Sequence, residues 1–463
     1  MMLNFLPIDE NIIQLKDYFK NAKIEFCDVC VGTRYLWRKE FKVDYAIFDD
    51  TLILKETAGN YSNAFYYPIG KNEIGALEQI ENYCKETGTP LLFCCIDNFY
   101  ALKLAERYQS VDIFNDRAWS DYIYSASDLI TLKGKKFSGK RNHVNKFKSI
   151  YPDYEVKDLN QIDTEKIDEF LSEYQIENLI EEGSLEKQEL FSVKEYVERL
   201  TDFEQVGLAL LVNDKIVGIS AGEVLNDTLI VHVEKALKSY NGVYPTLANE
   251  FAKRYGQTVK KINREEDCGD MGLRIAKLQY HPIEIKQKNF VSVKTLFDQI
   301  VPPVLIKTER LSITDIAKSD EKDYYLLYTD QKLNEFWGYD YKVDCKEPNE
   351  QYFYEFQNEL KTKKEEYSFA VRLNEEFIGE LVLYNFGYFG DLEIGFRFFE
   401  KYHKKGYAFE SANALITYAK ESLGARKIKC RCYKQNLSSK KLIEKLGFVL
   451  NSQTDEKYFF VKE

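Results

Sequence analysis

The sequence predicts an α/β (α+β) protein in which mixed sheets are flanked by helices and related units follow one another in tandem. Three observations predict it. At 463 residues the chain exceeds what one hydrophobic core covers, and at about 150 residues per domain it divides into roughly three. Apolar runs of period 2 alternate along it with stripes of period 3.6. Landmarks of the middle third also recur in the last third. Gly218 and Gly379, each in a hairpin four residues past a two-residue turn, are 161 residues apart; Gly242 and Gly406 are 164 apart, and Tyr280 and Phe448 are 168 apart. Boundaries are drawn at 1–130, 131–298 and 299–463, the first unit being the most divergent.

Composition narrows the function classes. Apolar residues make up 44% and aromatics 15%, as in packed domains. The formal net charge of -11 excludes a protein that coats nucleic acid wholesale, so an anionic partner must meet a local patch. No N-terminal stretch has the pattern of a signal peptide, and no run of about 18 apolar residues occurs. A soluble, cytoplasmic protein is expected. Of nine cysteines only Cys27 and Cys30 have C-x-x-C spacing, without a second such pair or paired histidines. Reduced core thiols and no metal site are expected.

Within the first unit the patterns predict a helix over 12–18, a hairpin over 45–54 turning at Asp49-Asp50, a helix over 75–85 and a strand over 91–96. Residues 133–148 then carry Lys133, Lys135, Lys136, Lys140, Arg141, Lys146 and Lys148 without an acid. That is a solvated helix face, or a contact for phosphates of RNA, lipid headgroup or CoA.

The middle third reads as a hairpin over 208–218, a strand over 229–235, and a turn at Asn241-Gly242 opening a helix with Leu247, Phe251 and Tyr255. Pro245 suits its first turn, where no N–H is needed. Residues 262–274 are dense in charge. They form either an internal ion-pair network or the lining of a cleft for an amine or aminoacyl ester, with Glu234 or Glu266 as base candidates.

Pro302-Pro303 marks a linker. A strand over 305–311, aromatic helices over 324–328 and 352–360 and a hairpin over 369–379 follow. Leu392, Ile394, Phe396 and Phe398 alternate as a strand that breaks at His403-Lys404-Lys405-Gly406. Beyond it Ala408, Ala412, Leu415, Ile416 and Ala419 form one face of a helix. Unpaired N–H groups, the positive end of the helix dipole and basic side chains therefore converge on the turn, which is the physics of a phosphate cradle. A strand over 427–432 and a helix starting at Asn436–Ser439, with Leu442, Ile443 and Leu446 inward and Gly447 at its end, complete the stretch.

The turn His403-Lys404-Lys405-Gly406-Tyr407-Ala408, with Glu410 after it and Asn436, Ser439, Glu444, Lys445, Gly447 and Phe448 downstream, resembles the signature of GNAT-type N-acetyltransferases, particularly the branch acting on N-termini of ribosomal proteins. Thr308-Glu309-Arg310-Leu311 resembles the first strand of that branch. His403 departs from its usual Gln, Arg or Trp. Residues 30–54, the basic stretch 133–148, His232-Val233-Glu234-Lys235, the block 262–274 and Lys277–His281 resemble a bacterial family related to the catalytic domain of lysylphosphatidylglycerol synthase, or phosphatidylglycerol lysyltransferase.

The first resemblance implies tandem acyl-CoA N-acyltransferase folds and acetyl-CoA as donor. The strands around 394–398 and 427–432 are expected to splay and admit pantetheine, with the pyrophosphate on the N–H groups of His403, Lys404, Lys405, Gly406, Tyr407 and Ala408. A backbone N–H near Phe396 to Phe398 would bond the thioester oxygen. Asn436 and Ser439 face the cofactor. Glu393 is the candidate base acting through water, and Tyr433 the candidate acid for the departing thiolate. Trp337, Tyr339 and Tyr341 are candidates for the acceptor mouth, the acceptor being a small-molecule or peptide amine. The second resemblance implies aminoacyl transfer from tRNA, with 133–148 as the anion contact and His232, Glu234, Arg264, Glu266 and Lys277 as site candidates. Outside enzymes, a CoA- or RNA-sensing binding protein is the remaining reading.

Overall fold

A computed structural model describes residues 3–23, 25–58, 61–338 and 340–463. Tyr339 therefore lies outside the described residues. The chain forms two compact units: one of Met1–Leu102 with Ile113–Ser292, the other of Lys103–Asp112 with Val293–Glu463. No helix among the described residues is long and apolar enough to cross a membrane.

The first unit contains two mixed sheets, and each follows the same plan. Antiparallel strands lead to a single parallel pair, and a parallel pair needs a crossover. In the first sheet strands Tyr61–Phe65 and Leu92–Ile96 are parallel, with helix Glu73–Thr87 between them. In the second, Thr228–Ala236 runs parallel to Lys261–Asn263, joined through helix Val243–Tyr255. Sheet membership does not follow linear order. Asp121–Ser125 hydrogen-bonds to Lys261–Asn263 in the second sheet, while Asn289–Val293 returns to pair with Leu92–Ile96 in the first.

The second unit repeats the plan once more. Its sheet runs Leu305–Lys307, Leu311–Asp315, Glu366–Leu373, Glu376–Tyr384, Asp391–Phe398, Lys427–Tyr433, Lys457–Lys462 and Val449–Gln453. Helix Tyr407–Glu421 bridges the parallel pair and buries Ala412, Leu415, Ile416 and Ala419.

All three sheets carry the same hairpin turn. Asp49-Asp50, Asn213-Asp214 and Asn374-Glu375 each adopt two successive left-handed conformations, φ from 45° to 69°. Paired positive φ values match the turn twist to that of the strands, and Asn and Asp tolerate them best. Gly218 and Gly379 each follow a register shift in the strand after that turn.

Candidate active site

In the second unit the two parallel strands pair only at Asp391 with Lys427, Leu392 with Ile428 and Glu393 with Lys429. Beyond that point strand Asp391–Phe398 stays paired on its other side, through Phe398 opposite Gly379. The gap so opened is one cleft of about 1080 Å³, lined by Ile394 to Phe398 on one wall and Cys430 to Tyr433 on the other.

Helix Tyr407–Glu421 starts at the cleft. Gly406 caps it at φ 86°, and Lys404 has φ 60°. The N–H of His403 is taken by the Glu400 carbonyl at 3.0 Å, whereas those of residues 404–409 have no acceptor among the described residues. The cradle therefore begins one residue later than the sequence predicts. The His403 imidazole has a different job: its Nε2 lies 2.8 Å from the Phe398 carbonyl and ties the turn to the strand end.

Lys404, Tyr407 and Ala408 line the cleft; Lys405 does not, and its carbonyl accepts from Arg310 at 3.2 Å. Glu410 anchors the helix from behind. It accepts from the Thr308 hydroxyl at 2.6 Å, the Arg310 N–H at 2.9 Å and the Arg310 guanidinium. Burial opposes its charge, but those donors hold its carboxyl below the usual range.

Phe396 and Phe398 line the strand wall, and Asn436 and Ser439 the far end. Asn436 Oδ1 caps its helix by accepting from the Ser439 N–H at 3.0 Å. That leaves Asn436 Nδ2 and Ser439 Oγ without partners among the described residues. Tyr433 lies on the wall, its ring 4.3 Å from Lys457 Nζ. Trp337 covers the floor at Gly395, where an added Cβ would come within 3.3 Å of the indole. Tyr341 instead packs on Phe353, with ring centroids 5.3 Å apart.

Glu393 is 7% exposed and does not line the cleft. Its oxygens accept from Tyr384 Oη at 2.7 Å and Asn385 Nδ2 at 2.9 Å, with Arg431 Nε at 3.2 Å. It ties three neighbours together.

A different carboxylate faces the cleft. Glu366 pairs with Tyr384, which pairs with Glu393, so the three present side chains to one sheet face. Glu366 lines the cleft, accepts from the Ser368 hydroxyl at 3.1 Å, and has no basic partner at ion-pair distance among the described residues. Neighbouring Glu380 does have one, Arg397 at 2.7 Å. Burial, with the Glu380 charge beside it, pushes the Glu366 carboxyl up to about 7. Sequence reasoning missed Glu366 because only strand pairing brings it to Tyr384.

The corresponding turn of the first unit is built differently. Gly242 caps helix Val243–Tyr255 at φ 85°, and a Cβ there would lie 2.4 Å from the His143 carbonyl oxygen. The Lys238 and Ser239 N–H groups donate to the Glu177 carboxylate at 2.6 and 2.8 Å. An internal carboxylate thus sits just ahead of this turn, on N–H groups that align with those of Tyr402 and His403. Partial burial opposes its charge, but these N–H groups hold the Glu177 carboxyl below the usual range. Glu177→Ala is expected to lower the urea midpoint by the equivalent of about 1–3 kcal/mol. Because the folded pKa is depressed, that contribution is complete above the unfolded value and lost as pH falls through the folded one.

Strand Thr228–Ala236 also leaves its parallel partner after three pairs, but side chains bridge the gap. Glu234 binds Arg264 at 2.6 Å. His232 lies between Glu223 at 3.0 Å and Glu265 at 2.7 Å. Glu266 meets Lys288, and Lys277 Nζ donates to the Arg264 carbonyl at 2.5 Å and to that of Glu266. Cys30, Glu223 and His232 place donor atoms within 4.8 Å of one another, as do Cys27, Asp28, Asp121 and Glu266. A protein cation, Lys288, already sits in the second group, and in the first His232 is hydrogen-bonded to Glu223 and Glu265. The dense block of charge is an internal ion-pair network.

Tandem mixed sheets, two of them with a parallel pair that parts after three residues, and an N–H cradle beside the cleft of the second unit are the framework of an acyltransferase. Residues 26–291 match the phosphatidylglycerol lysyltransferase C-terminal family, over more than half of the chain, which therefore belongs to that family. Residues 310–449 match the acetyltransferase (GNAT) domain. A crystal structure of a conserved protein of unknown function from Bacteroides thetaiotaomicron VPI-5482 is 32% identical, with a TM-score of 0.58, covering 63% of this chain and 100% of that one. The uncharacterized protein MYCGA3080 of Mycoplasmoides gallisepticum is 24% identical over 222 residues, 47% of this chain and 68% of its own. The uncharacterized N-acetyltransferase YjdG of Bacillus subtilis is 42% identical over 67 residues, 14% of this chain and 40% of its own.

Proposed function

We propose that the second unit transfers an acetyl group from acetyl-CoA to a primary amine. The observation that carries this reading is the run of N–H groups without acceptors at 404–409, opening into the same cleft as Glu366, a carboxylate with no basic partner among the described residues. Bound acetyl-CoA supplies an activated acetyl thioester. The chain holds its diphosphate with the N–H groups of Lys404 to Ala408 at the positive end of the helix dipole. The open edge of strand Asp391–Phe398 pairs with its amide-bearing arm, and Asn436 Nδ2 and Ser439 Oγ add polar contacts. Glu366 attracts the acceptor's ammonium and takes its proton, directly or through water. Tyr433 Oη is the group placed to give a proton to the leaving sulfur.

A second reading concerns the lysyltransferase-family unit. Lys133, Lys135 and Lys146 are exposed and have no acidic partner among the described residues, while the turn at Gly242 carries the Glu177 carboxylate just ahead of it. That unit would then take its acyl group from an aminoacyl ester on tRNA, bound through the basic stretch.

Thermal unfolding tests both. Acetyl-CoA at about 100 times its Kd is expected to stabilise the protein by about 2.7 kcal/mol through the second unit alone. tRNA is expected to bind through the first unit, with an affinity and a stabilisation that fall steeply as salt rises. An acetylation screen across amines and peptides then identifies the acceptor. Binding of acetyl-CoA without transfer to any of them would leave a sensing protein instead.

A further inference from the structure

Where strand Asp391–Phe398 faces the cleft it carries one residue without a side chain, Gly395. Two rings close on that spot. A Cβ added to Gly395 would lie 3.3 Å from Trp337 Cη2 and 3.5 Å from Tyr384 Cε1. Because Tyr384 pairs with Glu366 across the strands, these rings stand beside that carboxylate.

Both rings are held in place by the protein. Tyr384 Oη donates to Glu393 at 2.7 Å, and the Arg397 guanidinium lies 4.3 Å from the Trp337 ring. Arg397 is itself fixed, by Glu380 at 2.7 Å and by Asn334 Oδ1 at 2.5 Å. The same segment reaches the opposite wall. The Phe336 and Tyr433 rings are 6.0 Å apart, and a Cβ added to Gly338 would lie 3.5 Å from Tyr433 Oη. Four rings therefore wall the end of the cleft at which Glu366 stands.

Charge narrows what fits there. Of the other acids lining the cleft, Glu400 is paired with Lys332 at 2.7 Å, and Asp330 caps helix Gln331–Asn334 by accepting from the Leu333 N–H at 3.0 Å. Glu366 is left to meet an ammonium. Five lysines and two arginines line the cleft against these three acids, so a polyamine would bring several positive charges to a surface already rich in them. One ammonium on an apolar body is the better match.

We propose that the acceptor is an arylalkylamine, a single primary ammonium joined by a short chain to a flat aromatic ring; this rests on the acetyl-transfer reading. The ring stacks against Trp337 and Tyr384 while the ammonium meets Glu366. The ammonium loses one proton to Glu366, its nitrogen bonds the acetyl carbon, and the C–S bond breaks. The second nitrogen proton leaves as the amide forms, and the sulfur takes one from Tyr433. Amine and acetyl-CoA thus become the acetamide, the free CoA thiol and one proton.

The test measures release of CoA thiol by the full-length protein with tryptamine, phenethylamine, butylamine, spermidine and a short peptide as acceptors, alongside titration of acetyl-CoA by calorimetry. The arylalkylamines are expected to exceed butylamine and spermidine in kcat/KM by at least about tenfold. Trp337→Ala should lower kcat/KM for tryptamine by at least about tenfold, through KM, and Trp337→Phe should keep most of it. Acetyl-CoA affinity in each variant reports that the fold is retained. Spermidine or the peptide acetylated faster than either arylalkylamine would overturn this proposal and leave the transfer reading standing, as would Trp337→Ala slowing butylamine as much as tryptamine. A wild-type protein that does not bind acetyl-CoA would end both.

Discussion

Gly406→Pro is expected to weaken acetyl-CoA binding at least about 100-fold, about 2.7 kcal/mol, by isothermal titration. Gly406 sits at φ 86°, and proline is fixed near -65°, so the turn cannot keep its path. The substitution also deletes one N–H of the cradle. Because it can disturb the helix start as well, Ala408→Glu separates binding from folding. A carboxylate in the first turn of a helix favours the helix, since it faces the positive end of the dipole. The same carboxylate repels a diphosphate from the same N–H groups. Retained stability with lost affinity is therefore the expected outcome, and the Glu410 contacts to Thr308 and Arg310 keep the helix seated in both variants. Ala408→Glu with wild-type affinity would place the donor elsewhere.

Features written locally were legible in the sequence. The stripe Ala412, Leu415, Ile416 and Ala419 is buried as its period predicts. The turns at Asn213-Asp214 and Asn374-Glu375 were legible because Asn213, Asp214 and Asn374 tolerate left-handed backbone. What depends on pairing between distant strands was not legible. Asp121–Ser125 belongs to the second sheet because residues 261–263 hydrogen-bond to it, and nothing in its own five residues says so. Glu366 lies ahead of the hairpin read at 369–379, in a strand that begins three residues earlier than its pattern shows. Only the sheet shows that Tyr384, Asn385 and Arg431 engage Glu393, while Glu366 reaches the cleft without a cation. His403 shows the same limit in a turn, its ring bonding backward to the strand end rather than forward to a ligand.

Glu366→Gln is expected to lower kcat/KM for amine acetylation by about 10²–10⁴ at pH 8, and to remove a rising limb of the pH profile. The carboxyl is held at about 7 by burial and by Glu380, so below that pH it is protonated and cannot accept a proton, while above it the base form prevails. Rate should therefore climb through pH 7 in the wild type, and Glu366→Asp should keep the limb at reduced height. Stability runs the opposite way. A carboxyl whose folded pKa is raised from 4.5 to about 7 lets the folded state hold the proton more tightly. Folding is then favoured by it below 4.5, and that advantage is lost as pH rises towards 7. An uncharged glutamine has no such slope, so the variant should match or exceed the wild type in stability at pH 8. A structural role for Glu366 would make activity and stability fall together. A catalytic one makes them part, with the slower enzyme the more stable, and a Gln variant that keeps the ascending limb would remove Glu366 from the proton transfer.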